Sequence, residues 1–175
     1  MSTAPLTPVS VLDDAEAKAR AAACAMVPLL AATVHAQFPS GAYLVITRHE
    51  TDYDGEYLTL DSVRDAQGAP VWEFPDVLSH APLLPPVPAE IAALWGPYDP
   101  RESHTLLELA ERIESTAPNA FFEFLPPELR TAEEIRAEEY GGRTPLGIPL
   151  APSACALHGD ECPAHSHAEP SAPVD

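Results

Sequence analysis

The stretch Ala42-Tyr43-Leu44-Val45-Ile46-Thr47-Arg48-His49-Glu50-Thr51-Asp52-Tyr53-Asp54-Gly55-Glu56-Tyr57-Leu58-Thr59-Leu60-Asp61-Ser62-Val63 decides the fold class. Its first six residues are β-branched, aromatic or apolar, which suits a half-buried pleated surface. Asp54-Gly55 supplies the left-handed turn of a tight hairpin. Leu58 and Leu60 then share one face of a returning strand, Tyr57 to Val63. A further turn at Asp65 to Gly68 leads to a third strand, Val71 to Phe74. The reading is an antiparallel meander with one face free to receive helices.

Working outward, Asp13 and Glu16 match a capping box. They predict a helix from Asp14 to about Ala36, with Ala23, Val27, Leu30 and Val34 on one stripe and a kink at Pro28. Seven prolines between Pro75 and Pro100 leave room only for a short helix bracketed by Pro88 and Gly96. Asp99-Pro100-Arg101-Glu102 opens a helix to about Thr116, with Leu106, Leu109, Ala110 and Ile113 as its apolar stripe. Phe121 to Phe124 is a possible fourth short strand, and Thr131 to Glu134 caps a final helix ending at Gly141-Gly142. The sequence thus reads as α+β: a three-stranded meander packed against an N-terminal helix and two to three further helices. Residues 1–10 form a flexible arm, 11–140 the single domain, and 141–175 a disordered tail rich in Pro, Ala, His and Cys.

Nine basic against 27 acidic residues give a net charge of −18, and Lys18 is the one lysine. Such a surface repels nucleic acid backbones and anionic membranes. It suits either simple solubility or a basic protein partner. Exposed helical faces are expected at Glu108, Glu111 and Glu114, and at Glu133, Glu134, Glu138 and Glu139. No bilayer-spanning segment is expected, and three cysteines do not make a disulfide framework. The expected location is the cytoplasm.

The order helix, three strands, helix is similar in layout to that of double-stranded-RNA-binding domains. Such domains grip phosphates with lysines at the start of the closing helix. Here the corresponding helices open Asp99-Pro100-Arg101-Glu102 and Thr131-Ala132-Glu133-Glu134, so RNA binding is not expected.

Two metal readings arise. Cys155, His158, Cys162 and His165 form two Cys-x-x-His pairs, with His167 as a spare, the donor types zinc prefers. The bland alternative is a tail without fixed structure. Glu50, Asp52, Asp54, Gly55 and Asp61 partly match a calcium loop, but the strands on both flanks favour a plain hairpin. No nucleophile elbow, phosphate-cradling loop or dinucleotide fingerprint is present. An acid–base enzyme would require a concave pocket that gathers His49 with acids. The expectation is a non-catalytic protein-interaction or regulatory domain, with Trp95, Tyr98, Glu108 and Glu111 as its contact residues and a basic protein as its partner. The alternatives are a zinc-binding regulator and an acidic nucleic-acid mimic acting on a basic DNA-binding protein.

Overall fold

The computed structural model describes residues 7–51, 55–119 and 122–150. Four helices and five strands follow in chain order: α1 (Pro8–Gln37), β1 (Tyr43–Thr51), β2 (Gly55–Arg64), β3 (Pro70–Glu73), α2 (Ala89–Leu94), α3 (Ser103–Thr116), β4 (Glu123–Phe124), α4 (Ala132–Glu139) and β5 (Arg143–Pro149). The strands make one antiparallel sheet in the order β3-β2-β1-β5-β4. The α+β class and the β1–β2–β3 meander agree with the sequence reading. The turn residues Asp52 to Asp54 lie outside the described residues, and Gly55 has the left-handed φ of 74° that favours glycine.

The sheet separates a large core from a small one. On one face Leu44, Ile46, Leu58, Leu60, Val63, Leu146 and Ile148 meet Val27, Leu30 and Val34 of α1 and Leu106 and Ile113 of α3. On the other, Ala42, Tyr43 and Val45 pack against Leu125 and Leu129. A β-bulge explains why the apolar face of β2 changes phase. Val45 pairs with Ser62 but Ile46 pairs with Leu60, leaving Asp61 as the extra residue. Strict alternation would place Ser62 in the main core; the bulge substitutes Val63.

β1 and β2 extend beyond the residues read for them, to Thr51 and from Gly55, and three further boundaries differ from the sequence reading. First, β5 occupies residues expected to begin the disordered tail, and it lies between β1 and β4. Leu146, Ile148 and Leu150 are buried, while Pro145, Gly147 and Pro149 lie on the opposite face. Leu150 donates its N–H to Ala42 (2.8 Å), and Glu50 donates to Gly142 (2.9 Å). In an antiparallel ladder this assigns the even-numbered residues of β5 to the bonds with β1. The two prolines therefore turn their missing N–H away from β1, towards the side where β4 is only two residues long. Gly147 admits close neighbours: a Cβ there would lie 3.1 Å from Leu125 Cδ1.

Second, α1 begins at Pro8, inside the expected flexible arm. Thr7 and Ser10 form its capping box, and Asp13 and Glu16 lie within the helix. Pro28 does not split it, because Val27, Leu30 and Ala31 hold both sides of the kink position in the core. By length and composition α1 also meets the requirement for crossing a bilayer, with mean hydropathy 1.4 in its best window. From Ala23 onward the helix contributes Val27, Leu30, Ala31 and Val34 to the core.

Third, α3 starts at Ser103 rather than at Pro100, and Asp99 folds back onto the backbone N–H of Arg101 (3.0 Å). The α4 box is as expected: Thr131 accepts from Glu134 N–H, and Glu134 reaches back to Thr131 N–H.

Candidate functional site

The polar features concentrate on the second face of the sheet, at the outer edge of β2. Odd-numbered residues of β1 direct their backbone groups towards β2, because the even-numbered ones are engaged with β5. Their partners in the lower half of β2 are Gly55, Tyr57 and Thr59. Glu56, Leu58 and Leu60 consequently turn N–H and C=O outward. On that side β3 pairs with Ser62, Val63 and Arg64, and Phe74 just after it donates its N–H to the Asp61 carbonyl (2.9 Å). Among the described residues, no strand neighbours Glu56 to Leu60 there.

A groove of about 690 Å³ adjoins the inner end of this edge, where Thr59 and Leu60 line it. One wall is apolar, made by Phe74, Leu78 and Leu107. The other carries Thr47 and His49 from β1, Arg143 from β5 and Glu133 and Glu134 from α4. Asp61, Glu73 and Asp76 add to an acidic lining.

Arg64 organises the inner end. It is 5% exposed and donates from Nε to Ser62 Oγ (3.0 Å), from Nη1 to the Leu129 carbonyl (2.9 Å) and from Nη2 to Asp61 Oδ2 (3.1 Å) and Glu134 Oε1 (2.5 Å). Burial works against the Glu134 carboxylate. The hydrogen bonds from Arg64 and from the Thr131 backbone outweigh it and hold its pKa below the usual glutamate range. The fork-shaped guanidinium satisfies two carboxylates at once, which a lysine could not do.

His49 lies at the outer end. Its Nε2 is 2.9 Å from Thr59 Oγ1, and its ring stacks on Tyr57 with centroids 4.6 Å apart. Partial burial first, and the neighbouring Arg143 second, lower its pKa from the ordinary 6.5, which favours the neutral ring. The groove does gather His49 with acids. Asp61 and Glu134, however, are engaged by Arg64, and the contacts of His49 are a threonine, a tyrosine and an arginine. Among the described residues, no carboxylate is hydrogen-bonded to the His49 ring. In an NMR titration the His49 midpoint is expected below 6.5, and Arg143→Gln should raise it only part of the way because burial remains. A midpoint unchanged by Arg143→Gln would remove the charge contribution. The linked stability follows the same sign: it is present above about pH 6.5 and is lost as pH falls through the depressed value.

The expected contact residues divide. Trp95 is buried at 6% exposure, and its Nε1 donates to Thr33 Oγ1 (2.9 Å), so it seals the core. Tyr98 is 48% exposed, and Glu108 and Glu111 are exposed on α3. Trp95, Tyr98 and Glu108 border a second pocket of about 140 Å³ with Met26, Leu29 and Leu94; Glu111 does not line it. The acidic helical faces are also partly internal. Glu114 pairs with Arg48, Glu134 with Arg64 and Glu138 with Arg130. Glu108, Glu111, Glu133, Glu138 and Glu139 are the exposed members, Glu138 while paired with Arg130. Sequence reasoning missed Arg48, Arg64 and Arg143. Their signal was three guanidiniums inside strands, in a chain with nine basic residues.

Cys155, His158, Cys162 and His165 lie outside the described residues. Among the described residues, no group of three or more His, Cys, Asp or Glu is arranged to hold a metal. Asp61, the last ligand of the partial calcium loop, is bonded to Ser62 and Arg64. Asp52 and Asp54 are outside the described residues. No protein-family model, no curated protein and no solved structure matches the chain.

Proposed function

We propose that this chain is a non-catalytic protein-binding module that receives a basic, extended segment along the outer edge of β2. The observation that carries this reading is the row of outward-facing backbone groups from Glu56 to Leu60, whose inner end at Thr59 and Leu60 opens into a groove with an acidic lining. A strand added to an open edge gains affinity from main-chain hydrogen bonds and specificity from the walls. Here the apolar wall of Phe74, Leu78 and Leu107 accepts alternate apolar side chains. Glu133, Glu73 and Asp76 favour lysine or arginine at the intervening positions. The charge of −18 steers such a segment inward and makes the encounter dependent on salt.

The test uses a ten-residue peptide of alternating lysine and valine and the ¹⁵N-labelled full chain. Binding is expected to shift and protect the amides of Glu56, Leu58 and Leu60. It should weaken with salt and fail when the peptide is N-methylated at every second residue. Equal binding of the N-methylated peptide would reduce the contact to charge attraction and sink strand addition. Absence of binding by either peptide would sink the basic-segment reading as a whole.

A further inference from the structure

We infer that the exposed half of α1 and the pocket beside Trp95 form one self-association surface, occupied by a second copy of this chain. From Pro8 to Ala22 every residue of α1 is exposed except half-buried Ser10; Ala23 is the first to be buried. This arm is about 22 Å long at 1.5 Å per residue. It leaves Val9, Val11 and Leu12 in solvent at 68%, 51% and 59% exposure.

Leu12, Ala15, Ala19, Ala22, Met26 and Leu29 recur at alternating spacings of three and four, the period of a helix–helix seam. The last two are not on the arm. Met26 and Leu29 line the 140 Å³ pocket with Leu94, Trp95 and Leu109. The seam therefore leads from an exposed stretch of helix into a preformed apolar hollow.

A two-fold arrangement satisfies both ends at once. With two α1 helices antiparallel, Leu12 falls opposite Leu29 of the partner subunit, Ala15 opposite its Met26 and Ala19 opposite its Ala22. Each arm then delivers Leu12 into the pocket of the other copy. The alanines at the centre allow the close approach that lets the ends engage.

Charge also favours a like partner here. Asp13, Asp14 and Glu16 against Lys18 and Arg20 give the arm a net −1, and none of the five lies on the seam; the whole chain carries −18. The arm therefore repels a second copy far less than the average of the chain's charge would suggest. The overlap from Leu12 to Leu29 is about 26 Å long and about 10 Å wide on each copy. Over both copies this is a footprint of about 500 Å² before side-chain relief is added, at the small end for a specific interface.

The experiment is sedimentation velocity on the full chain from about 1 to about 200 µM, the range in which such an interface associates. The mass is expected to rise from 18.7 kDa to twice that. Ala19→Glu, which faces solvent in the single chain, should weaken association at least tenfold without changing the circular dichroism. A monomer at every concentration would overturn the inference, as would association indifferent to Ala19→Glu. A monomer that floats with phosphatidylcholine vesicles would overturn it in favour of a lipid surface.

Discussion

A chain ending at Gly142 is expected to be unfolded. It lacks β5, and with it Leu146, Ile148 and Leu150, which are 1%, 1% and 2% exposed. Burial of three such side chains is worth about 5 to 9 kcal/mol. Domains of this size have a total stability of about 5 to 15 kcal/mol. The deletion also removes the strand between β1 and β4, so the ladders on both sides are lost together. Far-UV circular dichroism should show loss of structure, and amide proton resonances should collapse to a narrow range. Ile148→Ala in the intact chain is the graded version, expected to cost about 2 to 5 kcal/mol while preserving the fold. A chain ending at Gly142 that melts cooperatively at the temperature of the full chain would mean that β5 is not part of the core.

Arg64→Met is expected to cost about 3 kcal/mol at pH 7, the lower part of the range for breaking a buried ion pair from one side. Methionine fills much of the arginine stem's volume, so the loss is mainly polar. Glu134, whose side chain is 17% exposed, would keep a charge without its partner, and the Leu129 carbonyl would lose its donor. Asp61, at 42% exposure, is less affected because water reaches it. The pH dependence separates this account from simple loss of packing. In the native chain the depressed Glu134 pKa contributes stability that is present above its ordinary 4.5 and is lost as pH falls. In Arg64→Met, burial without a partner would raise the Glu134 pKa, so protonation would relieve the variant. The difference between the two proteins should therefore shrink on acidification. The double variant Arg64→Met/Glu134→Gln should recover part of the loss at pH 7. A cost below about 1 kcal/mol, independent of pH, would reclassify the pair as a screened surface bridge.

The acidic groove and the Arg64 network share residues, which links binding to folding. Glu134 and Asp61 are not free to meet a basic ligand, because Arg64 already holds them. The recognition charge of the proposed site therefore falls on Glu133, Glu73 and Asp76, and Arg64→Met should alter stability more than peptide affinity.

Much of the sheet was legible locally. Ala42 to Thr47 carries strand chemistry in its side chains, and Leu58 and Leu60 alternate as the pleat demands; the Asp54-Gly55 turn was only partly legible, because Gly55 has the left-handed φ but pairs with Thr51 in the ladder. The Thr131/Glu134 box marks the start of α4, because a cap is satisfied within one turn of helix. Leu106, Leu109, Ala110 and Ile113 likewise reveal the buried stripe of α3.

The start of α1 was not decided locally. Thr7/Ser10 and Asp13/Glu16 are both workable caps, and only the assembled helix shows the second pair to be internal. The edge at Glu56 to Leu60 was illegible for a different reason: its openness is a property of where β3 stops. The Arg64 cluster joins residues 61, 64, 129 and 134, which no sequence period connects.

Pro145-Leu146-Gly147-Ile148-Pro149-Leu150 shows most clearly where sequence and tertiary structure divide. Large apolar side chains at every second position were in view, but two prolines and a glycine in six residues argue against a central strand. Their acceptability depends on which neighbour each backbone group faces. The sequence by itself determined the composition, the meander and the buried faces of α1 and α3, because helix and strand periods are local. The tertiary structure alone decided that β5 enters the sheet, since only pairing with β1 points the missing proline donors towards the side where β4 is short.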